Sequence, residues 1–139
     1  MPKSDKNSFN SKKRIIKRDM RFSYPTWRDY LEAHRRMLEE FGGYEGVNLY
    51  AETTYESILS DVKKARGLFN KGATLLWKLR TIRLVDDAQK RTAYSVTAAF
   101  LDMNGGEIFV KDVEEANAFM QQEILKSDHE GIVRWLRDG

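Results

Sequence analysis

The chain has 139 residues, 41% of them apolar and 32% charged, the balance of one folded domain large enough for a single core. Cysteine is absent and histidine occurs only as His34 and His129, which excludes a disulfide framework and a thiolate zinc site. No apolar run approaches the roughly 18–20 residues of a membrane span, and the N-terminus lacks a secretory apolar core, so a cytoplasmic protein without a membrane partner is expected.

The net charge of +3 is unevenly spread. Residues 1–20 hold seven cations and two acids, a net of +5, which leaves −2 for the rest of the chain. They read as a basic, poorly ordered arm preceding a folded domain over 21–139. Such an arm can touch an acidic partner or nucleic acid through charge alone. With no basic excess in the body, no specific nucleic-acid partner is expected.

Thr26 is an N-cap candidate, and apolar positions at Tyr30, Leu31, His34, Met37, Leu38 and Phe41 predict an amphipathic helix from Trp27. Gly42-Gly43 stops it. A second helix is predicted over about 51–65, with Thr54 or a neighbour at its start and Ile58, Leu59 and Val62 on its buried side. Gly67 breaks it. Leu68 to Thr81 is apolar nearly all round, which predicts a helix at the centre of a bundle. Further helices are predicted over Ala88 to Met103, 112–125 and 129–138, with a brief extended run at Glu107-Ile-Phe-Val110. Ser127 and Asp128 are capping candidates for the last one, and Trp27, Trp77 and Trp135 read as core anchors. The expected fold is an all-α bundle of about six helices with short connections.

The most chemical stretch is Arg83-Leu-Val-Asp-Asp-Ala-Gln-Lys-Arg-Thr92, between the two central helices. The first-turn N–H groups of a helix are unsatisfied and carry partial positive charge, so the helix start at this loop is an anion site in outline. Lys90 and Arg91 in that turn oppose the macrodipole, a placement that a bound anion would reverse. Asp87 could hold Mg²⁺ against phosphates, since Mg²⁺ takes one or two carboxylates together with phosphate oxygens. By residue type alone, a solvated loop is the more usual reading.

The stretch resembles the motif of the Fic/Doc family in its Doc branch, H-x-F-x-D-[GA]-N-K-R-T. Asp87, Ala88, Lys90, Arg91 and Thr92 match it position for position. Leu68 to Trp77 is similar to the helix leading into the motif, and Thr92 to Gly105 to the helix following it, with its FLxxNG ending. Ala33-His34, Glu39 to Gly43, Gly46-Val47 and Glu56 to Leu59 are similar to Doc's N-terminal pattern. The resemblance covers about residues 25–110. It implies the all-α Fic fold and transfer of a phosphoryl or nucleotidyl group from ATP, with Mg²⁺, to a protein hydroxyl. Doc itself is a toxin that phosphorylates elongation factor Tu and is silenced by a helical segment of its antitoxin. The resemblance therefore implies a protein substrate or an antitoxin-like protein partner. It places phosphates at Ala88, Gln89, Lys90 and Arg91, and the metal at Asp87.

The departures fall on the chemistry. Arg83 stands at the position of the family's catalytic histidine, and a guanidinium cannot take a proton from a hydroxyl at neutral pH. Val85 replaces the motif phenylalanine, and Gln89 replaces the asparagine with one more methylene. The chain is also shorter than Doc between Leu59 and Leu68, where the family carries the flap that positions its target. Arg83 reads either as a surface residue paired to Asp86 or Asp87, or as an added phosphate cation. Asp86 or Asp87 could replace the base. His34 reads as a packed, hydrogen-bonded side chain, and His129 as a surface or capping residue. The expected function is a Doc-like toxin-family protein impaired in catalysis. The alternative is a non-catalytic nucleotide- or protein-binding descendant, so whether the chain is an enzyme stays open.

Overall fold

The structure, a computed structural model, describes residues 21–139, and the basic stretch 1–20 lies outside the described residues. Six helices form an all-α bundle among the described residues, as the sequence predicts. Helix α1, Trp27–Phe41, begins at a capping box: the Thr26 hydroxyl accepts from Asp29 N at 3.2 Å, and the Asp29 carboxylate accepts from Thr26 N at 2.8 Å. Helix α2, Ala51–Lys64, starts at Tyr50, which is left-handed with φ 67° and offers no side-chain cap. Thr54, expected near this start as a cap, lies inside the helix. The difference is tertiary in origin. The preceding loop is tied to a distant one, and a turn from Asn48 O to Ala51 N (3.0 Å) decides where α2 begins.

Helix α3, Leu68–Thr81, is the central element, packed against α2, α4 and α6. Ala73, Leu75, Leu76 and Leu79 on it are fully buried, as the all-round apolar pattern requires. Helix α4, Gln89–Met103, lies against α1 and α3 and buries Ala93, Val96, Phe100 and Leu101. Helix α5 opens as Val113–Ala118, widens into a π-helical stretch Phe119–Glu123 and closes as Ile124–Lys126. The widening has an identifiable partner. Arg80 Nε and Nη2 donate to the carbonyls of Met120 (2.6 Å) and Gln121 (3.0 Å), drawing them out of a regular helical ladder. Helix α6, His129–Asp138, is capped by Asp128, whose carboxylate accepts from Gly131 N at 2.8 Å.

The expected extended run at 107–110 is not a strand. Ile108 and Val110 are buried, and Phe109 N donates to Leu136 O at 2.8 Å, so the segment is a connection pinned to α6. Among the described residues the only strand-like pairing is one antiparallel bridge, Val47 to Val85. All three tryptophans pack against the core, with Trp27 stacked on Tyr30 at 5.3 Å and Trp135 on Phe119 at 3.9 Å. No helix among the described residues is long and apolar enough to cross a membrane.

Tyr30 and Tyr55 are adjacent, fully buried phenols, and burial raises the pKa of each well above the usual value. Their hydroxyls differ. Tyr55 donates to the Pro25 carbonyl at 2.8 Å, whereas the Tyr30 hydroxyl has no partner among the described residues. Tyr55→Phe is expected to lower unfolding free energy by about 1–3 kcal/mol, because it orphans a buried carbonyl. Tyr30→Phe should be neutral or stabilising. Urea denaturation of the two variants measures the contrast.

Candidate functional site

The loop between α3 and α4 is organised by one amide. Gln89 Nε2 donates to the carbonyls of Leu79 (3.1 Å) and Ile82 (2.8 Å), and its Oε1 accepts from Leu84 N at 2.9 Å. Every polar atom of the side chain is thereby bonded to the backbone of the turn. Leu84 and Val85 are drawn in and fully buried, which explains why valine suffices at the second departure from the motif. Arg83 and Asp86 are left outside, with Arg83 Nη1 3.9 Å from Asp86 Oδ1 and two-thirds of the Arg83 side chain exposed. That pair is one of the readings the sequence allows for Arg83.

A second loop, residues 42–50, clasps the first. Asp86 N donates to Gly46 O at 3.0 Å, Asn48 N to Leu84 O at 2.9 Å, and the Asn48 side chain to Arg83 O at 3.0 Å. Asp87 Oδ2 accepts from Tyr44 N at 2.8 Å. From α1, the buried His34 donates through Nε2 to the Asp87 carbonyl at 3.0 Å, which assigns it the Nε2–H tautomer. Glycine at 46 is a matter of space, since a Cβ there would meet the Asp86 carboxylate.

Ala88 then turns the chain into α4 in the left-handed region, with φ 63° and no side-chain cap on the helix. That conformation costs an L-residue on the order of 1 kcal/mol, and it leaves the first-turn N–H groups of α4 without a side-chain partner. The Thr92 hydroxyl, fully buried, closes the turn on the Ala88 carbonyl at 2.7 Å.

Next to this helix start lies a cavity of about 370 Å³ between the end of α1, α4 and α5. Its walls include Met37, Phe41, Tyr94 and Met120, with Lys90, Arg91 and Lys111 as cations and Glu40 as the acid. The Arg91 guanidinium sits 4.1 Å over the Phe41 ring, and Lys90 Nζ donates to Gln121 Oε1 at 2.9 Å. Neither cation has a carboxylate partner among the described residues. Tyr94 donates to Val110 O at 3.0 Å, and partial burial raises its pKa, the nearby Lys111 pulling the other way.

Of the six residues marked from sequence, the structure brings Lys90 and Arg91 together on the cavity. Ala88 forms the adjoining turn. Gln89 points its amide into the loop, bonded to the backbone of Leu79, Ile82 and Leu84 and outside the cavity lining, so the side-chain phosphate contact that the resemblance implies does not match its place. Asp87 and Arg83 lie outside the cavity lining, and Asp87 spends one carboxylate oxygen on the 42–50 loop. For Mg²⁺ the chain offers a single carboxylate oxygen there, and no cluster of three metal-ligating side chains occurs among the described residues. That donor set fits an ion held mainly by phosphate and water. His129 is remote, bonded through Nε2 to Asn70 Oδ1 at 3.0 Å. Sequence reasoning missed Gln121 and Lys111, which lie 21 to 31 residues from Lys90 and carry no local signal, and also Tyr94, whose i, i+4 spacing from Lys90 on α4 could have marked it. The chain matches no protein-family model and no curated protein.

Gln89→Ala should lower stability by about 3 kcal/mol, because it orphans several backbone groups at once. Gly46→Ala should loosen the clasp. Amide hydrogen exchange at Asn48 and Asp86 is expected to speed up by at least about tenfold in that variant, while the core of α3 stays protected.

Proposed function

We propose that the chain is a Doc-like domain that binds a nucleotide without turning it over by the family's route. The observation that carries this reading is the convergence of Lys90 and Arg91, both without acidic partners among the described residues, on one cavity at the uncapped start of α4. The phosphates would lie against the first-turn N–H groups and the two cations, and the base against Phe41, Tyr94 and the two methionines. Asp87 would supply one oxygen to Mg²⁺, which bridges and neutralises phosphates when bound. Gln89 serves only as the brace that holds the helix start in place.

The replacement of the motif histidine by Arg83 supports the non-catalytic half of the reading. A guanidinium has no site to accept a proton from a hydroxyl, and the imidazole of His34 is buried with its Nε2–H committed to the Asp87 carbonyl. Asp87 has one carboxylate oxygen in use, and Asp86 faces solvent beside Arg83. An active transferase working on a protein hydroxyl, with an antitoxin-like partner, is the second reading. It would require one of these carboxylates to act as the base.

Calorimetry with ATP and Mg²⁺ should show saturable binding, weakened by about ten- to hundredfold in Arg91→Ala, the worth of one charge-assisted contact. Label from γ- or α-labelled ATP should not pass into proteins of a cell extract. Arg83→His is expected to restore transfer if the loop keeps its working geometry. Unchanged ATP affinity in Arg91→Ala would remove the cavity from the reading, and transfer by the unaltered chain would favour the second one.

A further inference from the structure

Nine large apolar side chains are exposed among the described residues, and five of them fall between Phe41 and Tyr50. Phe41 carries the Arg91 guanidinium over its ring and belongs to the cavity. Tyr44, Val47, Leu49 and Tyr50 are left in solvent, 68%, 46%, 81% and 74% exposed. The loop that carries them is held firmly, by four hydrogen bonds to residues 83–87. A further bond, from Ala51 N to Asn48 O at 3.0 Å, closes a turn with Leu49 and Tyr50 at its two corners. Tyr50 stands there with φ 67° and ψ 14°, a conformation that turns ordinarily give to glycine or asparagine. The turn alone would be better made by a small polar residue. Large apolar side chains held out into solvent from a pinned loop mark a surface that something covers.

The rim of this patch is acidic. From Met37 to Val62 the chain has six acids and no cation. Glu39 is paired with Arg35 and Asp61 with Lys78, away from the loop. On the loop itself Glu45 is exposed between Tyr44 and Gly46, and Glu52 is exposed in the first turn of α2, two residues after Tyr50. The facing turn adds Asp86, whose carboxylate lies with the Tyr44 ring where a Cβ on Gly46 would stand, and Asp87, bonded to Tyr44 N. Arg83 is the cation of that turn, 3.9 Å from Asp86. Four acids and one cation therefore border the apolar side chains.

We infer that Tyr44, Val47, Leu49 and Tyr50 form a docking surface for a protein segment that presents apolar side chains flanked by lysine or arginine. An apolar centre within a charged rim is the make-up of a protein interface, and the sign of the rim selects the partner. A nucleic acid or an anionic bilayer would bring phosphates against these carboxylates. A second copy of the chain, docked about a two-fold axis, would set acids against acids. Because the loop is already pinned, docking orders little of this chain, which favours affinity. The surface lies on the 42–50 loop, outside the lining of the cavity at α4, and does not rest on the nucleotide reading.

The test is panning of the full chain with a phage-displayed library of random short peptides, the enriched sequences then being synthesised and measured by fluorescence anisotropy. Enriched peptides are expected to combine apolar residues with lysine or arginine, and their binding should weaken as salt rises. In the double variant Leu49→Ser, Tyr50→Gly the affinity should fall by about tenfold or more. Its thermal unfolding midpoint should stay level or rise, because glycine takes the left-handed corner without strain; a merely structural pair would lower it. Glu45→Lys with Glu52→Lys should cost about threefold or more and reduce the salt dependence. The inference is overturned if no peptide is enriched, if the enriched peptides lack cations, or if they bind the Leu49→Ser, Tyr50→Gly variant as tightly as the unaltered chain. Unchanged affinity in the charge variant overturns the choice of a basic partner. Self-association of the unaltered chain in sedimentation velocity, lost in the double variant, would make a second copy the occupant and overturn the inference equally.

Discussion

The side-chain amide of Gln89 is the constraint on which the motif region depends. A turn of seven residues between two packed helices leaves backbone donors and acceptors pointing inward, where unpaired groups cost free energy. One amide, placed at the first residue of α4, satisfies carbonyls at the end of α3 and an N–H in the turn together. Because those bonds converge from both sides of the loop, the start of α4 is held against the end of α3. The direction of the first-turn N–H groups follows from that placement. Leu84 and Val85 are buried as a consequence, and Arg83 and Asp86 are displaced to solvent.

A second layer of constraint comes from the 42–50 loop. It is pinned through Tyr44 N, Gly46 O and Asn48 N to the same turn, and His34 reaches the Asp87 carbonyl from α1. Three segments distant in sequence thus meet at Asp86-Asp87. This arrangement separates two roles that the motif combines on paper. Asp87 and Gln89 bind the protein's own backbone, whereas Lys90 and Arg91 turn to the cavity. The proposed phosphate site is therefore narrower than the motif. It consists of the helix start, two cations and an aromatic wall.

Much of the fold was legible because its signals are local. Thr26 with Asp29, the left-handed Gly42, Gly67 and Asp128 mark helix ends through bonds or backbone angles spanning a few residues, and sequence reading places them well. The all-round apolar pattern of Leu68 to Thr81 likewise announces a central helix. The candidate site was legible only in part. Lys90 and Arg91 could be marked from their position in a first turn. The inward turn of Gln89 could not, because it depends on where the carbonyls of Leu79 and Ile82 come to lie.

The sequence by itself determined the class of the protein, an all-α bundle with a charged loop between its two central helices. Periodicity and caps act within a helix and need no partner. Tertiary structure decided the rest: where α2 begins, why α5 widens at Phe119–Glu123 and which cations face the cavity. The widening and the setting of Lys90 each involve a bond between residues 31 to 40 positions apart, Arg80 to Met120 and Lys90 to Gln121. Contacts of that span exist only once the helices have packed, so no window of the sequence contains them.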